Sequence, residues 1–125
     1  IKDLLTWMQS KKPDFTNTFA NLMDSNHAND EEFEENDFLE WKKNWKERVN
    51  NKDYLNIMKK TNPILIPRNS LVEEALHEAE TIGKIDKFNE LNKVIASPYN
   101  IEKVPKKYLD TPKKSNIPYK TFCGT

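Results

Sequence analysis

Cys123 is the single thiol of the chain and sits two residues from its end, in the run YKTFCGT. A thiol reacts as its thiolate, so exposure and a nearby cation decide whether it does chemistry; Lys120 supplies a cation and Gly124 leaves the sulfur accessible. It has no second cysteine for an internal bridge and no company for zinc. The two histidines, His27 and His77, have no partner at metal-ligand spacing, and no motif points to a Ser-His-Asp arrangement. Glycine occurs only as Gly83 and Gly124. Loops that cradle phosphate need several glycines for close backbone approach, so the sequence holds no P-loop, no dinucleotide fingerprint and no kinase glycine loop. Two other features invite chemistry. The acid-rich run SNHANDEEFEEND reads either as a site for a cation or basic partner, or as a solvated loop and helix start. Trp41 and Trp45, four apart, read either as an aromatic platform for a ligand or as a helix face packed into the core.

The elements that position these residues come from a chain of 125 residues, enough for one domain with a modest core. It is polar, 36% hydrophobic and 32% charged, while 10% aromatic content argues against disorder along most of its length. Twenty basic and twenty acidic residues cancel, which gives no support to a nucleic-acid partner. No apolar run approaches the roughly 20 residues that span a bilayer, so no membrane partner is expected. The sequence opens on Ile1 within a helical pattern, which reads as a piece of a longer protein with any targeting signal upstream. A lone cysteine fits a reducing, cytoplasmic compartment.

Apolar spacing predicts an all-helical array of five or six short helices. Ile1, Leu4, Leu5 and Met8 mark the first. Asp14 is placed as N-cap of the second, whose face is Phe15, Phe19 and Leu22. Phe38, Trp41, Trp45 and Val49 stripe a third over 36–49, with Glu40, Lys43, Asn44 and Lys46 on its wet side. A fourth, about 52–60, carries Tyr54, Leu55 and Met58 and is stopped by Pro63. The run NPILIPRN at 62–69 reads as an extended buried connector. Asn69 and Ser70 are expected to cap the fifth helix, Ser70 with Glu73 at capping-box spacing, and its inner face is Val72, Ala75, Leu76 and Ala79. Gly83 suits the left-handed position that ends it. Asp86 is placed as cap of the sixth, with Phe88, Leu91, Val94 and Ile95 inward, and Ser97-Pro98 closes it. The helical domain is thus expected over 1–98. An extended, proline-punctuated tail follows over 99–125, where Tyr99, Tyr108, Tyr119 and Phe122 read as anchors for docking on this domain or on the rest of the protein.

Several stretches together resemble the C-terminal region of the selenoprotein O family: DFTNTF at 14–19, the F-x-x-W-x-x-x-W pattern at 38–45, NPILIPRN running into LVEEAL at 62–76, SPY at 97–99 and the terminal YKTFCGT. They fall in the family's order and cover nearly the whole chain. The family often has paired prolines before its last tyrosine, where this sequence has YLDTPKKSNIP with single ones, so tail docking is expected to differ.

The resemblance implies the C-terminal part of a protein-kinase-like fold that lacks the usual catalytic-loop aspartate. It implies a protein adenylyltransferase that moves AMP from ATP to hydroxyl groups of protein substrates with a divalent metal, magnesium. The nucleotide and metal ligands of the family lie upstream of this chain, so no catalytic, cofactor-binding or metal residue is carried over, and the chain alone is not expected to be an enzyme. Its expected partner is the upstream kinase-like part. Asn62, Pro63, Arg68, Asn69, Pro98 and Tyr99 match the family motif and are read as structural. For Arg68 two roles compete, a buried ion pair and a reach to a neighbouring domain. Cys123 matches the position where eukaryotic members carry selenocysteine, which implies a redox thiol placed to meet a second group upstream; the alternative is a small apolar residue buried when the tail docks. Set against this whole reading is an independent helical interaction module, in which the aromatic stripe and tail recruit a partner and Cys123 is incidental.

Overall fold

The computed structural model describes residues 1–24, 27, 30–49, 53–100 and 104–111. The described residues are all-helical: α1 (Lys2–Lys11), α2 (Phe15–Met23), α3 (Asn36–Val49), α4 (Tyr54–Thr61), α5 (Asn69–Ile82) and α6 (Asp86–Ile95), with single 3-10 turns at Glu31–Glu34 and Lys106–Tyr108. The aromatic readings at 119 and 122 and the thiol of Cys123 lie outside them.

Helix α1 stops where Lys12 takes a left-handed conformation, φ 54°, and donates its N–H to Met8 O at 2.9 Å. Pro13 follows, and proline disfavours a helical predecessor. Asp14 then caps α2, its carboxylate accepting from Asn17 N–H at 2.8 Å. This agrees with the cap expected from sequence.

Two clusters of buried side chains hold the helices. One is aromatic: Leu4, Leu22, Phe33 and Phe38, flanked by Trp7, Met8, Phe19, Trp41, Trp45 and Met58. The other is mainly aliphatic: Ala20, Ile64, Leu65, Leu91, Val104, Tyr108 and Leu109, flanked by Met23, Leu71, Val72, Val94 and Ile95. Helix α2 lies between them and contributes to both, which is why six of its nine residues are buried. Residues 62–68 run extended with Ile64 and Leu65 buried, and Ile64 N–H donates to Pro98 O at 2.8 Å. That bond ties the start of the connector to the end of α6. Gly83 ends α5 at φ 71°, in the region that disfavours a Cβ, and opens the turn into α6.

Several inward faces differ from their sequence reading. In α1 the inward side is buried Leu4 with partly buried Trp7 and Met8, while Ile1 and Leu5 are exposed. Phe15 is 64% exposed, its ring tilted at 49° against Phe19 at 5.0 Å, while α2 turns its polar Thr16, Asn17 and Thr18 inward. Ile66 is exposed, unlike its neighbours Ile64 and Leu65. Leu76 and Phe88 are exposed as well. With Ile82 and Ile85 they lie on the α5–α6 hairpin, which runs past the layer that buries Leu71, Val72 and Leu91.

The capping expectations for the last two helices also fail. The N-cap of α5 is Arg68, with no side-chain cap bond, and Asn69 is the first helical residue. The Arg68 side chain is directed to Asp14 and not to the helix end. Ile85 occupies the N-cap of α6 and Asp86 stands in its first turn, where a carboxylate still meets the positive end of the helix.

Candidate functional site

Arg68 is the organising residue of the most connected polar cluster. It sits at the end of the extended connector and is 9% exposed. Its guanidinium grips the Asp14 carboxylate in a two-pronged contact, Nη1 to Oδ2 and Nη2 to Oδ1 at 3.0 Å, and Nη2 donates a further bond to Asn17 Oδ1 at 3.1 Å. Planar, two-pronged pairing is the geometry arginine supplies and lysine does not.

Asn17, fully buried, passes the network on. The two N–H groups of its amide Nδ2 are shared among Leu109 O at 3.1 Å, Thr111 Oγ1 at 3.0 Å and Asp30 Oδ2 at 3.2 Å. Thr111 Oγ1 donates in turn to Asp30 Oδ1 at 2.8 Å. Four parts of the chain are therefore bound by one set of charges and amides: the start of α2, Asp30 ahead of the first 3-10 turn, the connector, and residues 109–111. Burial works to raise the Asp14 pKa, yet the Arg68 hydrogen bond, the Asn17 N–H and the guanidinium charge together hold the carboxyl below its usual range. The cluster is a clamp. Its carboxylates and amide groups are turned on one another, an arrangement suited to fixing distant segments.

His27 lies beside this clamp, 5% exposed. Burial lowers its pKa, Asp24 and the Ile64 backbone oppose that, and Arg68 adds to the lowering. Lys42, on α3, is also buried, 6% exposed. Its ammonium donates to Asn21 O at 2.7 Å and to the Asn21 side-chain oxygen, and stands 5.7 Å from the centre of the Phe38 ring. Burial pushes its pKa down to about 8, Lys46 pushes the same way and Asp24 resists. Sequence reading did not single out Asp14 and Asn17 as partners of Arg68, nor Lys42 as buried. Lys42 falls between Phe38 and Trp45 on the striped face, one position from Trp41, and that spacing was the available signal.

The motif residues are distributed as follows. Asn62 closes α4, its N–H on Met58 O at 2.8 Å. Pro63 and Asn69 are exposed, and Pro98 supplies the carbonyl that receives Ile64 N–H. Tyr99 stands half-exposed on the wall of a groove of about 540 Å3, shared with Ala20, Met23, Asp24, Lys59, Ile64 and Asn100. The 62–69 and 97–99 stretches, 28 or more residues apart in sequence, thus meet in space. Among the described residues, no group of three or more His, Cys, Asp or Glu stands where it could hold a metal ion. No helix among them is long and apolar enough to cross a membrane.

Comparison with known proteins places this architecture. A protein from Clostridium perfringens named protein nucleotidyltransferase YdiU is 40% identical over 130 aligned positions, which take in all of this chain and 26% of that protein. Proteins of the same name from Bacillus cereus and Pelagibacter ubique are 39% and 38% identical, again over the whole chain and 27% of their own length. The chain belongs to the selenoprotein O family. It spans about a quarter of the length of these curated family members. No protein-family model and no solved structure matches it. Within the selenoprotein O chain in hand, the motif arginine at position 68 is engaged in the clamp, and the carbonyl of Pro98 in the connector bond.

Proposed function

We propose that these residues form the C-terminal helical part of a protein nucleotidyltransferase of selenoprotein O type, which moves AMP from ATP to protein hydroxyl groups. In that enzyme they buttress a kinase-like part and do not carry out the transfer. The observation behind this reading is the 38–40% identity, over the entire chain, to proteins named nucleotidyltransferases that are about four times as long. The clamp supports the buttress role, since Arg68, Asp14 and Asn17 are committed to one another. ATP and a divalent metal would be bound elsewhere in the longer protein. The described residues do not fit a metal site, and no catalytic step is assigned to them. Cys123 would act as a redox thiol of the terminal segment.

The test uses the full-length protein with a substrate protein and ATP carrying its label either in the AMP portion or on the terminal phosphate. Transfer of the AMP label alone is expected. Transfer of the terminal phosphate, or of neither label, would overturn the reading. For the thiol, Cys123→Ser in the full-length protein should abolish the dependence of activity on added reductant; an unchanged dependence would remove Cys123 from the scheme.

A further inference from the structure

Helices α1 and α3 enclose a groove of about 350 Å3, lined by Asp3, Leu4, Trp7, Asp37, Phe38 and Trp41 together with two hydroxyl residues. Its floor is Leu4 and Phe38, both almost fully buried. Its walls are a run of rings: Trp7 stacks on Phe38 at 4.7 Å and 27°, and Phe38 on Trp41 at 6.5 Å and 20°. The stack continues to Trp45, 6.2 Å from Trp41, and ends against the edge of Tyr54. Thr6 and Ser10, the hydroxyl residues, donate to Lys2 O and Trp7 O of their own helix. The polar character left to the groove is therefore carried by two carboxylates.

Both carboxylates are exposed, and neither is ion-paired among the described residues; Asp37 takes one hydrogen bond, from Phe38 N–H. No basic residue lines the groove. Lys11, whose ammonium feels Asp37, is drawn to Glu35 in a direct pair. Lys42 is turned to Asn21 on the other side of Phe38. The chain on either side of Asp37 reinforces the sign of the charge, with seven carboxylates and no Lys or Arg over residues 30–40.

Aromatic faces attract cations through the ring quadrupole, and a guanidinium both stacks on an indole and pairs with a carboxylate through its planar fork. A volume near the lower end of the range for ligand sites suits one side chain. We propose that the α1–α3 groove binds an arginine side chain presented by a partner polypeptide, with the guanidinium against Trp7 and Trp41 and between Asp3 and Asp37. The proposal is independent of the nucleotidyl-transfer reading and of Cys123.

The test titrates the 125-residue chain with a capped Gly-Arg-Gly peptide and with its citrulline counterpart, which keeps the shape and loses the charge. Indole N–H resonances are followed by NMR and assigned by Trp→Phe changes. Saturable shifts at Trp7 and Trp41 are expected with the arginine peptide, and binding at least about fivefold weaker with citrulline. Asp3→Asn and Asp37→Asn, both exposed, should each weaken binding roughly two- to fivefold with unchanged circular dichroism, and added salt should weaken it further. Equal response to the two peptides, shifts that do not saturate, or Asn variants that fold and bind as the parent does would each overturn the proposal. So would tetramethylammonium binding as tightly as the arginine peptide, since the fork would then contribute nothing.

Discussion

The aromatic and aliphatic halves of this chain are held in different ways. The aromatic cluster is built from rings that meet where helices cross, Trp7 on Phe33 and Phe38, and the stack runs on through Trp41 and Trp45. The aliphatic cluster joins Ala20 to Ile64, Leu91 and Leu109, and is closed by a clamp in which Asn17 reaches Leu109 and Thr111. In the first, large rings stacked along adjacent helices suffice, and an open edge remains as the α1–α3 groove. In the second, side chains from distant segments meet, and a buried ion pair and an amide tie the start of α2 to the connector and to residues 109–111. Nonperiodic chain, at the connector and at 104–111, can be part of a core when polar groups fix its path.

The comparison can be broken from either side. Phe38, 1% exposed, is the centre of the ring stack, and Phe38→Ala should cost about 3–5 kcal/mol in urea denaturation. Arg68→Met should cost about as much, since it strands the Asp14 carboxylate and the Asn17 side-chain oxygen with no cation. The second loss has a signature the first lacks: adding Asp14→Asn to Arg68→Met should give a double variant less destabilised than the sum of the two, because asparagine still caps α2. Additive losses would mean that the pair and the cap act separately.

A smaller effect separates the centre of the stack from its edge. Trp41 and Trp45 are half-buried, so alanine at either should cost roughly 1–2 kcal/mol, well short of Phe38. A loss equal to that of Phe38→Ala would make the groove wall part of the closed core.

Titration sharpens the contrast further. His27 has a lowered pKa in the fold, so the folded chain resists a proton that the unfolded chain takes up from about pH 6.5 downward, and stability should fall with pH from there. His27→Gln should remove that part of the acid loss. What remains should set in below about pH 3.8, as the depressed Asp14 carboxyl is protonated and the clamp fails. Lys42 works in the opposite sense. Its folded pKa is about 8 against an ordinary 10.5, so the folded chain releases the proton first and should gain stability as pH rises through that window. Lys42→Met should abolish the gain. Stability curves of parent and variants against pH check all three. The smallest change expected is at the α5–α6 turn, where Gly83→Ala meets no neighbouring atom and should cost about 1 kcal/mol from the left-handed backbone alone.

The number and order of helices, the stripe of α3, the Asp14 cap, the Gly83 stop and the buried connector were all legible in the sequence, because each depends on residues within a turn or two of one another. So was family membership, carried by the spacing of short motifs. The errors share a cause. Ile1, Leu5, Phe15, Leu76 and Phe88 sit at helical spacing, but which arc of a helix is buried depends on where the next layer lies. Asn69 and Ser70 carry good capping chemistry, yet the N-cap of α5 is Arg68, whose side chain is directed to Asp14, 54 positions earlier. The burial of Lys42 beside Phe38 and the juxtaposition of Asp3 with Asp37 likewise needed helices to cross. Local chemistry determined what each segment is. Tertiary packing decided which charges meet, because the energy of a buried pair or an open groove depends on distances between segments that no local pattern records.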